Sequence, residues 1–185
     1  ANAPLIYVNQ IGAHTDIIFD GRSLALDQNG NVVTELKKFE EDFQIIDFVN
    51  ETLISDTDYI AAEDTDISLI HQALILGLRD YFGKSGFKKA VLGLSGGLDS
   101  ALVAALACEA IGSENVLAIL LPSVYSSDHS IKDALDLVEY TGCEHRIVPI
   151  KDIAQSFEDT LSPIFDGLKP DLTEENIQAR TRGTL

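Results

Sequence analysis

Residues 95 to 100 read Ser-Gly-Gly-Leu-Asp-Ser, and they carry more chemistry than any other stretch of the chain. Two adjacent glycines let a backbone come close to a ligand. Ala101 onward is rich in helix formers, so the stretch opens a helix, and the first amides of a helix point outward unpaired at the positive end of its dipole. Ser95 and Ser100 add hydroxyl donors, and Asp99 adds a carboxylate able to hold a magnesium ion that bridges phosphate oxygens. The pattern is neither a Walker A loop, which needs lysine before the Ser/Thr, nor a G-x-G-x-x-G fingerprint. A bare tight turn needs the glycines but not the acid and two hydroxyls around them.

Positioning such a loop takes a strand before it and a helix after it. Ala90 to Leu94 is an apolar run of the buried parallel type, and Leu98 to Ile111 reads as helix, stopped by Gly112. The alternation then continues. Val116 to Leu121 is strand, Asp128 to Thr141 helix up to Gly142, Ile147 to Ile150 strand, and Asp152 to Leu161 helix interrupted by Pro163. Successive units of this kind predict an α/β fold with a doubly wound parallel sheet, whose ligands sit beyond the carboxyl ends of the strands. The loop Pro122-Ser123-Val124-Tyr125-Ser126-Ser127 faces the same crevice. A last helix follows Asp171, with Thr173 as the expected N-cap and Glu174 and Glu175 favoured by the dipole. Asn176 and Arg180 share one face of it, suited to a carboxylate, a phosphate or ribose hydroxyls, while Arg182 points elsewhere.

The first part of the chain differs. Residues 1–50 read as a meander of short strands: Leu5 to Val8, Asp16 to Phe19, Ser23 to Leu26, Val32-Val33 after an Asn29-Gly30 hairpin signal, and Phe43 to Phe48. Residues 51–66 are acidic, with Ser55-Asp56-Thr57-Asp58 and Glu63-Asp64-Thr65-Asp66, and read as a linker. A helix follows from Asp66 to Phe82, with Ile67, Ile70, Leu74, Leu78 and Tyr81 as its packing face, Thr65 or Asp66 as its cap and Gly83 or Gly86 as its stop.

The totals narrow the partners. With 30 acidic against 13 basic residues the formal charge is −17, which repels polyanions and argues against nucleic acid. No apolar stretch approaches the roughly 20 residues of a membrane span. Cys108 and Cys143 form no metal or redox pattern, as in a cytoplasmic protein with inert thiols. The chain has no methionine, begins at Ala1 and stops at Leu185 inside a helical pattern, which reads as a piece of a longer polypeptide.

The Ser-Gly-Gly-x-Asp-Ser loop resembles the pyrophosphate loop of the ATP pyrophosphatases, whose fold is adenine nucleotide alpha hydrolase-like. Together with Leu74 to Tyr81, Pro122 to Ser127 and above all Glu175-Asn176-Ile177-Gln178-Ala179-Arg180, the chain is similar to glutamine-dependent NAD synthetases. Tyr7 to Gly12 and Phe19-Asp20-Gly21 resemble the end of that family's nitrilase-like αββα glutaminase domain, past its catalytic cysteine. The resemblance implies that 1–50 is the C-terminal part of a glutaminase domain, 51–66 a linker, and 67–185 the N-terminal part of a synthetase domain. It implies ATP-dependent amidation of deamido-NAD through an adenylate, with ammonia from glutamine, ATP as co-substrate and Mg2+ as cofactor. Asp99 and Ser95 would be catalytic and Asp99 the magnesium ligand. Gly93, Leu94, Ser95, Gly96, Gly97, Leu98, Asp99, Ser100 and Leu121 would hold ATP, and Asn176 and Arg180 deamido-NAD. A cytoplasmic homo-oligomer is implied as well, with no nucleic acid or membrane partner. Two alternatives stay open: another enzyme with this loop, of the GMP synthetase type or a tRNA-thiolating one, the latter wanting a basic surface and reactive cysteines that this acidic chain lacks, and a nucleotide-binding piece without chemistry.

Overall fold

The computed structural model describes residues 3–57, 59–61, 63–123, 126–165, 167 and 171–185. Asp58 of the acidic stretch and Val124 and Tyr125 of the second loop lie outside the described residues. By its internal contacts the chain divides into Ala1–Phe87 and Lys88–Leu185.

In the first unit, β1 (Leu5–Tyr7), β4 (Leu24–Leu26) and β5 (Val32–Glu35) form an antiparallel sheet in the order β1-β4-β5, while β2 (Ile11–His14) and β3 (Ile17–Asp20) pair as a hairpin. The β4–β5 connection carries the expected Asn-Gly turn. Asp27 holds it by accepting from the amides of Asn29 and Asn31, both at 2.8 Å. A further hairpin joins β6 (Asp47–Val49) to β7 (Thr52–Ile54). This moves the strand expected over Phe43 to Phe48 toward its C-terminal end and places another in a stretch expected to hold none. The turn is Asn50-Glu51, with φ of 49° and 64°. Both central residues are left-handed, as a two-residue turn requires, yet the glycine that would announce it is absent.

Helix α1 (Asp66–Ser85) starts on Thr65, whose side chain accepts from the Ser68 amide, and ends on Gly86 at φ 73°. It lies on β2 and β3 through close approaches. Asp80 accepts from the Ala13 amide at 2.6 Å and from Lys84 Nζ at 2.7 Å. A Cβ on Gly12 would reach Asp80, and one on Gly77 would press on Ile18. The side on β2 and β3 is therefore the one bearing Gly77, Asp80 and Lys84, while the buried Ile75 lies on another side of the helix. Ile67, Ile70, Leu74 and Tyr81, expected to pack, are exposed.

In the second unit β8 (Ala90–Gly93), β9 (Val116–Leu120) and β10 (Glu144–Ile147) form a parallel sheet in the order β10-β9-β8. This is the predicted α/β architecture. Helices α2 (Leu98–Ile111) and α3 (Asp128–Thr141) have the expected bounds, and α3 ends on Gly142 at φ 71°. The core joins Val116, Ala118 and Leu120 of β9 to Ala104 and Cys108 of α2 and to Ala134 and Val138 of α3. Alanines at the contact let helix backbones approach the sheet closely. Cys108 and Cys143 are both free and buried, and burial, reinforced by the neighbouring Cys143, pushes the Cys108 thiol up from its ordinary value.

Three boundaries of this unit differ clearly from the sequence expectation. The third strand begins at Glu144 rather than Ile147, because β10 is a sheet edge and tolerates Glu144, His145 and Arg146. Its pairing runs on irregularly, with Val148 N donating to Leu120 O at 2.8 Å and Ile150 N to Pro122 O at 2.9 Å. Helix α4 (Lys151–Phe165) continues through Pro163, which lies in its last turn and so forfeits only one late hydrogen bond. Helix α5 (Leu172–Thr184) is capped by Asp171 rather than Thr173.

Candidate functional site

Leu94 extends β8 by donating its amide to Ile119 O at 2.9 Å, and the chain then turns sharply into α2. The two hydroxyls of the loop hold that turn. Ser100 Oγ donates to Gly97 O at 3.0 Å, so its one proton is committed, and Ser95 Oγ, 3.0 Å away, must donate to it. Ser100 Oγ also accepts the Ser95 amide, and Ser95 Oγ the Gly97 amide, each at 3.2 Å. With the hydroxyl protons engaged inside the loop, the outward donors are backbone amides. Those of Leu98, Asp99 and Ser100 make no hydrogen bond among the described residues. Gly97 is the N-cap and supplies no side-chain cap.

Gly96 has φ 82°, and a Cβ there would collide with the Ser130 carbonyl in the first turn of α3. Only glycine combines that left-handed backbone with so close a contact. The Asp99 carboxylate stands exposed in the first turn of α2, without hydrogen bond or ion pair among the described residues. Among those residues no group of three or more His, Cys, Asp or Glu converges as a metal cluster.

Beyond the ends of β8 and β9 lies a cleft of about 770 Å³. Gly93, Leu94 and Ser95 form one wall, Leu120, Leu121 and Pro122 the floor, and Ser126, Ser127, Ser130 and Ile131 the wall opposite. Ser127 caps α3 by accepting the Ser130 amide at 3.1 Å. Of the expected site residues, Gly93, Leu94, Ser95 and Leu121 line this cleft. Gly96, Gly97, Leu98, Asp99 and Ser100 continue from its wall into α2 but do not line it.

Asn176 and Arg180 are exposed on α5 and line neither this cleft nor the one beside it. Arg182, expected to point away, lines the cleft with Gly183 and Leu185, and its Nε donates to Leu121 O at 3.2 Å. A second cavity, of about 550 Å³, is lined by Ser123, Ser126, Asp171, Glu174, Glu175, Gln178 and Arg182, so the two share Ser126 and Arg182. The spacing of Glu174, Gln178 and Arg182, four residues apart, was the available signal for this second helix face.

The family described as NAD synthase matches residues 70–185. A glutamine-dependent NAD(+) synthetase of Synechocystis sp. is 45% identical over the whole chain, which covers 33% of that relative. One of Thermotoga maritima is 39% identical over 97% of this chain and 37% of its own length. The structure of glutamine-dependent NAD+ synthetase from Acinetobacter baumannii in complex with ADP superposes on 98% of this chain and 34% of that one, with TM-score 0.90 and 41% identity. The chain thus spans about a third of the length of these relatives, and the likeness extends to the parallel α/β sheet and its helices. With the glycine loop, the open helix start and the strand-end cleft all inside the matched segment, the chain belongs to the NAD synthase family.

Proposed function

We propose that this chain carries the ATP-binding wall of an enzyme that amidates deamido-NAD to NAD, with ammonia from glutamine. In this reading 67–185 begins the synthetase domain, 1–50 ends a nitrilase-like glutaminase domain and 51–66 links them. The observation that carries it is the unpaired amide run of Leu98, Asp99 and Ser100 at the mouth of a strand-end cleft. The solved Acinetobacter relative with ADP supports the nucleotide.

The nicotinate carboxylate attacks the α-phosphorus of ATP, the bond to the β-phosphate breaks, and pyrophosphate leaves an acyl adenylate. Ammonia then attacks the acyl carbon, the bond to AMP breaks, and a proton is released. The α2 amides hold the departing pyrophosphate, and the Ser95–Ser100 hydroxyl pair keeps them aimed at it. Leu121, at the cleft floor, meets the adenine. Asn176 and Arg180 hold deamido-NAD on the exposed face of α5.

The Asp99 carboxylate, exposed beside the loop, fits magnesium, which takes one or two protein carboxylates and fills its shell with phosphate oxygens and water. Bound there, the ion would neutralise charge on the pyrophosphate. The exposed Ile67, Ile70, Leu74 and Tyr81 of α1 support a homo-oligomer, and the unpaired buried thiols fit a reducing cytoplasm.

The test is NAD formation from deamido-NAD and ATP by the polypeptide of full natural length, with glutamine and with ammonia as nitrogen source. Both are expected to work. Failure with both, while another carboxylate is adenylated, overturns the assignment. Asp99→Asn is expected to lower ATP turnover on the order of a hundredfold; unchanged turnover removes Asp99 from the magnesium role.

A further inference from the structure

The cavity beside α5 has no part in the scheme above, and one of its residues is out of place there. Gln178 is only 5% exposed and lines the cavity, yet its amide makes no hydrogen bond with any described residue. A buried amide without partners is costly and uncommon. Among the described residues no fully enclosed side-chain nitrogen or oxygen lacks a partner, so the Gln178 amide keeps its access to the cavity.

The surroundings define what such an amide meets. Glu175, one turn before Gln178, is exposed and has no hydrogen bond or ion pair among the described residues. Glu174 has given Oε2 to the Asp171 amide and keeps its other oxygen. Three carboxylates, Asp171, Glu174 and Glu175, outnumber the one cation among the described lining residues, Arg182, and repel an anion; the positive end of the α5 dipole disfavours a cation, and the polar lining disfavours an apolar group. What remains is a neutral group rich in hydroxyls. A cis-diol can donate both protons to a carboxylate while an amide N–H donates to one of its oxygens.

A nucleotide in the main cleft brings such a diol, because the two cavities share Ser126 and Arg182. We propose that Glu175 and Gln178 bind the ribose hydroxyls of the ATP whose phosphates sit at the start of α2. The assignment rests on the ATP reading given above.

It is tested by calorimetric titration of the full-length polypeptide with ATP, 2′-deoxy-ATP and 3′-deoxy-ATP. Each deoxynucleotide is expected to bind about tenfold or more weakly, since a hydrogen bond to a charged group is lost. Glu175→Gln and Gln178→Met are expected to bring the three affinities together by weakening ATP alone. Glu175 is exposed, so its variant folds even where a change at buried Gln178 does not. Equal affinities in the unaltered protein overturn the ribose site and leave the ATP reading standing, as does discrimination that survives Glu175→Gln. Absence of binding by all three overturns the ATP reading and the ribose site together.

Discussion

At the start of α5 two carboxylates close the helix. Asp171 accepts the Thr173 amide and Glu174 accepts the Asp171 amide, each at 2.7 Å. At the start of α2 the cap is a glycine without a side chain, and three amides stay open. The same four-donor problem faces both helices. The chain solves it with carboxylates where the helix end is structural and leaves it unsolved where the end faces the cleft. The open end lies between β8 and the first turn of α3, where Gly96 is pressed against the Ser130 carbonyl, so its amides keep their direction without a cap.

Three substitutions break or sharpen that contrast. Gly96→Ala is expected to have the largest effect, because the left-handed backbone alone costs about 1–3 kcal/mol and the added Cβ collides with the Ser130 carbonyl. Thermal unfolding is expected to move down, and ATP affinity to fall steeply. A variant with unchanged affinity shows that the loop does not need its contact with α3.

Asp171→Asn is expected to act less strongly and only above acid pH. The amide of Thr173 holds the Asp171 carboxyl below its ordinary value. A depressed acid contributes stability above the unfolded-state value, about pH 4, that is lost as pH falls through the lowered one. Urea unfolding is therefore expected to find the variant weaker at neutral pH and equal to the parent in strong acid. A gap of constant size separates the loss from the charge.

Gly97→Ser, which gives α2 the kind of cap its counterparts have, is expected to be the mildest. Its backbone accepts a side chain at φ −85°, though the Cβ would lie 3.3 Å from Ser95 Oγ. Stability is expected to rise by a few tenths of a kcal/mol, while ATP affinity falls severalfold as the hydroxyl engages an amide meant for phosphate. A gain in both contradicts the idea that the bare cap serves the ligand.

Local chemistry was legible wherever it is contiguous. The loop announced its own turn, and Gly112 and Gly142 marked the ends of α2 and α3. The β6–β7 hairpin stayed hidden because Asn50-Glu51 lacks the usual glycine, and the start of β10 because polar residues on an edge strand break the alternation. Thr173 is a natural cap by type, but the box formed by Asp171 and Glu174 wins by satisfying two amides at once. Ser95 and Leu121 were readable as cleft walls from their strands. Arg182 was not, since only folding brings it to Leu121, 61 residues away.

The buried Cys108 gives the protein an internal clock. With its thiol enclosed between α2, α3 and β9 and held protonated, a thiol reagent reaches it only when those layers part. The labelling rate therefore counts openings of the sheet that carries the cleft. A ligand that bridges α2 and α3 slows that count without touching the sulfur.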